Sequence, residues 1–110
     1  MAELLDRAVA TEYASWFRAL ADPTRVQIVE YLARKARPMP VGEIVAAVGL
    51  AQSTVSQHLK VLTEVGFVRV EAVGNARHYR INQTCVDCFP SAADVVMGRP
   101  APTPTGGCEC

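Results

Sequence analysis

The sequence lacks net charge, a long apolar run and any signature of an enzyme. Lysine plus arginine number 11 and so do aspartate plus glutamate, so overall charge indicates no particular partner, and a basic surface would need local clustering. No apolar run approaches the ~20 residues that span a bilayer. The start, MAELLDRAVATEY, carries acids where a signal peptide has basic residues. We therefore expect a cytoplasmic protein with no membrane partner.

Catalytic motifs are also absent. The sequence has no P-loop, no GxGxxG and no Ser-His-Asp set. A small thiol oxidoreductase using Cys85 and Cys88 is the alternative from another class, because such enzymes place CxxC at a helix N-terminus. That class also needs a preceding parallel-sheet pattern, which the sequence does not show. We expect no enzyme and no organic small-molecule substrate.

The composition is that of one small globular domain. Half of the 110 residues are hydrophobic and a fifth are charged. A chain of this size buries a modest fraction of its surface, so dimerisation would help to stabilise it. We predict a folded domain over residues 1–98 and a flexible Pro/Gly-rich tail over residues 99–110 that carries a cysteine pair.

Apolar residues at spacings of three and four predict helices in five segments. AELLDRAVATEYASWFRAL forms one helix, or two broken near Thr11. The next helix begins at the N-cap Asp22 with Pro23 in first place, and it stops before Pro38. VGEIVAAVGL is a short helix that ends at Gly49.

The remaining two helices follow the same spacing. In AQSTVSQHLKVLTEVG, Ser53 or Thr54 serves as the cap, and the inward stripe is Val55, Leu59 and Leu62. In NQTCVDCFPSAADVVMG, Pro90 stands in the first turns or kinks the helix, and the inward positions are Val86, Phe89, Ala93 and Val96.

Between these two helices lies a β-hairpin. FVRVEAV alternates apolar and polar residues, GNA supplies a turn, and RHYRI alternates again. Two helices joined by a short turn and followed by a hairpin make a winged helix-turn-helix. The predicted fold class is therefore mainly α with a small β-hairpin.

The outer face of the second helix of that pair is polar. Its amides, hydroxyls and lysine can bond base edges and phosphates, and residues 51–82 hold four cationic side chains against two acidic ones. A single polar helix face is usually only solvated, whereas the complete motif favours double-stranded DNA. The candidate contacts are Gln52, Ser53, Thr54, Ser56, Gln57 and Lys60.

Two stretches within roughly residues 12–82 stand out as a set, RALADPTRVQIVEYL and EIVAAVGLAQSTVSQHLKVLTEVGFVRVEAVGNARHYRI. Together they resemble the arsenical-repressor (ArsR/SmtB) family of winged-helix metalloregulators. The resemblance implies a homodimer paired through its N- and C-terminal helices, two recognition helices on operator DNA, and release by an inducer. It carries the recognition-helix contacts over to the six residues above and to His58, and the wing contacts to Arg77 and His78. Because His58 lies beside the apolar stripe at Leu59, a packing role is its alternative to a phosphate contact.

The inducer sites usual in that family are missing. Pro40 and Gly42 stand where arsenic-responsive members have the cysteines of a CVCD-like motif, and the last helix has none of the histidines of zinc-responsive members. The thiols stand elsewhere: Cys85 and Cys88 at the start of the last helix, and Cys108 and Cys110 in the tail.

Cysteine pairs in a reducing cytosol indicate metal or redox chemistry rather than disulfides. Cys85 and Cys88 are three apart and so share a helix face, and thiolates select thiophilic ions. We predict an all-sulfur site for arsenic(III) or antimony(III) as the inducer, with cadmium, mercury or zinc as alternatives. A structural or incidental zinc site and a redox or persulfide switch stay open.

Overall fold

The computed structural model describes residues 4–98, without the side chains of residues 85, 86, 88, 90 and 91. The predicted tail, residues 99–110, lies outside this range. Within it the chain forms five helices and one three-stranded sheet, and no helix there is long and apolar enough to cross a membrane. In chain order the elements are α1 (Arg7–Ala19), α2 (Pro23–Lys35), β1 (Met39–Pro40), α3 (Val41–Val48), α4 (Gln52–Val65), β2 (Val68–Val73), β3 (Ala76–Ile81) and α5 (Gln83–Val96).

The first two helices follow the sequence closely. α1 runs unbroken through Thr11, whose hydroxyl donates to the Arg7 carbonyl at 2.8 Å. α2 begins as predicted: the Asp22 carboxylate accepts from the backbone N–H groups of Thr24 (2.8 Å) and Arg25 (3.2 Å). These bonds satisfy donors that a helix start otherwise leaves without partners.

The core lies where α4 meets the other helices and the sheet. The predicted stripe is confirmed, because Val55, Leu59 and Leu62 are fully buried. The predicted cap of α4 is wrong: Ala51 occupies the N-cap without a side-chain bond, and Ser53 and Thr54 lie exposed inside the first turn. Their hydroxyls are therefore not used to start the helix.

The sheet has one strand more than predicted. β2 and β3 form the expected antiparallel hairpin, and the two-residue β1 pairs with β3, with Met39 opposite Tyr79. A two-residue strand is too short to show alternation, and its proline indicated only a helix stop. The extra strand is explained by the Met39 side chain, which it buries completely.

The inward face of α5 differs from the prediction. Phe89 packs inward as predicted, but Ala92 (1% exposed) and Val95 also pack inward, whereas Ala93 is half-buried and Val96 is 52% exposed. The side chain of Val86 lies outside the described residues. The Phe89 ring is held in T-shaped contacts with Phe17 and Phe67, with centroids 5.3 and 5.4 Å apart. The helix runs through Pro90.

Candidate nucleic-acid interface

The helix-turn-helix consists of α3, a tight turn and α4. Gly49 ends α3 in the left-handed region at φ 73°, a conformation that costs glycine little. Leu50 and Ala51 complete the turn, and α4 starts at Gln52. The buried side chain of Ile44 anchors α3 in the same core as Val55 of α4. Both helices of the motif are thus anchored in one shared core.

The side of α4 away from the core carries the predicted DNA contacts. Six of the seven residues predicted on this helix are exposed to solvent. They carry two amides, three hydroxyls and one ammonium group, which can donate to and accept from base edges and phosphates. These six residues, which we call the reading face, are Gln52, Ser53, Thr54, Ser56, Gln57 and Lys60.

The wing does not place its two predicted contacts together. Neighbouring residues of a strand point to opposite faces, and in β3 Arg77 shares a face with Tyr79 while His78 lies opposite Glu71 of β2. Arg77 is exposed on the side toward α4, and His78 is half-buried on the other side. Arg77 is thus the wing residue that joins the reading face.

A groove separates α4 from the wing. Its volume is about 440 Å³, and Lys60 and Arg77 stand on its walls with Glu64 as the acidic member. The remaining residues of its lining are Ser56, Thr63, Val70 and Tyr79. We call this the wing groove. The Thr63 hydroxyl donates to the Leu59 carbonyl at 2.7 Å. The two cations and the hydroxyls of Ser56 and Tyr79 suit an anionic group such as a backbone phosphate.

His58 is the one predicted α4 contact that turns away from the reading face. Its side chain is only 17% exposed and lies against the start of α2. Its Nδ1 is 3.3 Å from a guanidinium nitrogen of Arg25, and its Nε2 is 4.0 Å from Oδ1 of Asp22. Asp22 therefore serves both the first turn of α2 and the ring of His58.

The surroundings of Asp22 favour its ionised form. Partial burial works to raise the pKa of this carboxyl, but the backbone N–H groups of Arg25 and Thr24, with the electrostatic influence of the His58 and Arg25 side chains, outweigh it and hold the pKa below its usual value. A carboxyl whose pKa is lower in the folded state stabilises the fold above its unfolded pKa. That contribution is lost as pH falls through the lowered value.

We expect Asp22→Ala to lower the thermal unfolding midpoint at pH 7 by several degrees, because two backbone donors lose their partner. The difference between variant and parent should shrink as pH falls below about 4. Calorimetry at several pH values measures both effects. Asp6→Ala is the matched control, because Asp6 caps α1 without a side-chain bond, and an equal loss there would contradict the role given to Asp22.

The start of α5 is tied to the end of α4. The Asn82 side chain, 4% exposed in total, donates from Nδ2 to the Gly66 carbonyl at 2.8 Å, and its backbone N–H donates to the Phe67 carbonyl at 2.8 Å. Its Oδ1 accepts from the N–H of Thr84 and so caps α5. These bonds join the start of α5 to the C-terminal end of α4.

The predicted metal ligands are only partly within the described structure. The backbone of Cys85 and Cys88 lies in the first two turns of α5, while Cys108 and Cys110 lie outside the described residues. Across residues 4–98, as far as side chains are described, histidine, cysteine and acidic residues form no group of three that could hold a metal. The start of α3 has Pro40 as its N-cap and Gly42 in its first turn, so no sulfur stands there.

The reading face, the wing and the groove together define a winged helix-turn-helix DNA-binding domain. Residues 22–70 match the model of the family described as "Bacterial regulatory protein, arsR family". The chain is 37% identical over 82 residues to the HTH-type transcriptional regulator NmtR of Mycobacterium tuberculosis. This match covers 74% of this chain and 67% of that protein. The chain belongs to the arsR family of bacterial transcription regulators, and its relatives are regulators, not enzymes.

Two further similarities bear on the site. The chain is 36% identical over 84 residues to the probable mercury resistance operon repressor of Streptomyces lividans, covering 76% of this chain and 61% of that protein. A homodimeric winged helix-turn-helix domain of a possible ArsR-family regulator from Mycobacterium bovis superposes with a TM-score of 0.68 at 31% identity. That match covers 89% of this chain and 91% of the other.

Sequence reasoning did not find the partners of His58 and Asn82. Asp22 was predicted only as a cap, and neither Arg25 nor Asn82 was singled out. Arg25 stands 33 residues from His58, so no local spacing connects them. The one available signal for Asn82 was its position before a predicted helix, which is typical of an N-cap.

Proposed function

We propose that this protein is a repressor that binds operator DNA as a homodimer and is released when a thiophilic metal or metalloid binds its cysteines. The inducer is arsenic(III) or antimony(III). The observation that carries the DNA-binding part is the reading face standing beside the cationic wing groove. Operator DNA lies in the bacterial cytoplasm, where we place the protein.

The DNA contacts divide into two kinds. The amides of Gln52 and Gln57 suit base edges in the major groove, where a glutamine can bond adenine through two atoms. Lys60 and Arg77 suit phosphates, because both line the wing groove at the side of α4. His58, turned toward α2, is not assigned to either kind.

The second subunit accounts for apolar side chains that the described domain leaves exposed. Leu5, Val9 and Phe17, in or before α1, are 36–38% exposed, and Val96 and Met97 at the end of α5 are 52% and 78% exposed. A second copy of the chain is the occupant we assign to them, supported by the homodimeric Mycobacterium bovis domain. Two copies would present two recognition helices to a palindromic operator.

The proposed inducer site consists of Cys85, Cys88, Cys108 and Cys110. Four thiols and no histidine in or after α5 make an all-sulfur donor set, which fits thiophilic ions. Three sulfurs satisfy arsenic(III), while zinc or cadmium takes four. Mercury(II) is the second candidate, because a relative at 36% identity is a probable mercury resistance operon repressor.

A route from the inducer site to α4 exists in the described residues. Phe89 directly follows Cys88, and its ring contacts Phe67, which directly follows the C-cap Gly66 of α4. Asn82 adds two hydrogen bonds to this end of α4, one to the Gly66 carbonyl and one to the Phe67 carbonyl. An ion that changes the position of the first turns of α5 would therefore tilt α4 and reduce operator affinity. Couplings of this kind are typically about 1–3 kcal/mol, or roughly 5–150-fold.

Operator release can be measured directly. A fluorescent duplex, selected by this protein from a random pool, is titrated with the protein and then with arsenite, antimonite, mercury(II), cadmium or zinc, while anisotropy is recorded. We expect arsenite and antimonite to release the duplex at the lowest concentrations. Release by mercury(II) at lower concentrations would favour the second candidate, and the absence of release by all five would contradict the metal-responsive function.

A further inference from the structure

Arg25 stands where three helices meet. From α2 its Nε donates to the Ala19 carbonyl at the end of α1, at 2.6 Å, and one terminal nitrogen lies 3.3 Å from Nδ1 of His58 in α4. The other terminal nitrogen lies 3.4 Å from the Arg18 carbonyl. The last carbonyls of a helix have no partner within it, so the guanidinium satisfies the end of α1. One side chain thus joins α1 to the middle of α4.

The chemistry of this contact determines which ring nitrogen of His58 accepts the hydrogen bond. A guanidinium is always protonated and only donates, so Nδ1 of His58 must accept and carry no proton. The ring proton then stands on Nε2, which faces the Asp22 carboxylate at 4.0 Å. Both ring nitrogens are directed at α2. A histidine held in this way is poorly placed to bond a base or a phosphate.

We propose that His58 is a positioning residue: through Arg25 it fixes the orientation of α4 against α1. We call the contact of Arg25 with His58 and with the Ala19 carbonyl the joint. α1 is one of the helices assigned above to the dimer interface, so the joint sets the spacing and tilt of the two recognition helices. The inference rests on the proposed operator binding by a homodimer. Gln57 immediately precedes His58 in α4, so a small rotation of the helix would displace that amide from its base.

The test compares operator DNA with a random duplex of equal length. His58→Leu and Arg25→Met each remove the joint, and we expect each to weaken operator binding about tenfold, or about 1.4 kcal/mol. Binding to the random duplex should stay within about twofold, because the cations that contact phosphates remain. The double variant should be no weaker than the weaker single variant, because both changes break one contact.

Conservative variants separate positioning from direct contact. His58→Asn keeps an acceptor close to the place of Nδ1, so we expect near-parental operator affinity. Arg25→Lys keeps the charge, but its single nitrogen cannot serve both Ala19 and His58, so it should behave like Arg25→Met. It also provides the test if Arg25→Met fails to fold, which the thermal unfolding midpoint and the dimer mass from light scattering would reveal.

Three results would overturn the joint: additive losses in the double variant, equal losses on operator and random DNA, or no loss in any single variant. Additive losses would mean that each residue contacts DNA by itself. A parent protein that does not prefer its selected operator would overturn the proposed function together with the joint. Parental preference with unchanged variants would overturn the joint alone.

Discussion

Replacing both Cys85 and Cys88 with serine should leave operator binding intact and abolish its release by arsenite. Only Cys108 and Cys110 would remain, two thiols for an ion that takes three. A serine hydroxyl is neither soft nor ionised at neutral pH, so it does not replace a thiolate. We expect the parent protein to lose roughly 5–150-fold in operator affinity with arsenite, and the variant to lose none. Anisotropy with and without arsenite measures both quantities.

Single changes in the tail test how many thiols are needed. Cys108→Ser leaves three sulfurs, so release by arsenite should persist, while a response to cadmium or zinc through four sulfurs should weaken. The matched control is Ser91→Ala, a small change in α5 outside the cysteine pair, which should respond as the parent does. Arsenite release at parental concentrations in the Cys85 and Cys88 double variant would place the inducer site elsewhere in the chain.

Most of the fold could be predicted because its signals are local. Asp22 followed by Pro23 marks the start of α2, and the spacing of Val55, Leu59 and Leu62 identifies the buried side of α4. The inward face of α5 depends instead on where the Phe89 ring finds partners. Those partners come from α1 and from the residue after the C-cap of α4, and no periodicity within α5 contains that information.

The candidate site divides in the same way. The reading face follows from helical spacing alone, since six polar side chains lie opposite one apolar stripe. His58 lies beside the apolar stripe, so the sequence left packing and phosphate contact open, and the structure adds Arg25, which reaches His58 from another helix. Arg77 and His78 are adjacent in sequence and therefore looked equivalent, yet strand alternation places only Arg77 on the side toward α4.

Removing both cations of the wing groove should have the largest effect on DNA binding. The variant Lys60→Gln with Arg77→Gln deletes two phosphate contacts per subunit and so four per homodimer. Each contact contributes about 0.9 to the slope of log affinity against log salt, so the slope should flatten by roughly 3 to 4. Operator affinity at low salt should fall about a hundredfold or more. Anisotropy titrations at four salt concentrations give both numbers.

Arg34→Gln with Lys35→Gln provides the matched control, because it removes the same charge from the end of α2, outside the wing groove. Long-range attraction depends on total charge and would weaken alike in both variants, whereas a bound phosphate is lost only where its partner is removed. The control should therefore keep nearly the parental slope. Equal slopes in the two variants would mean that the wing groove holds no phosphate and that DNA contacts α4 from its N-terminal end alone.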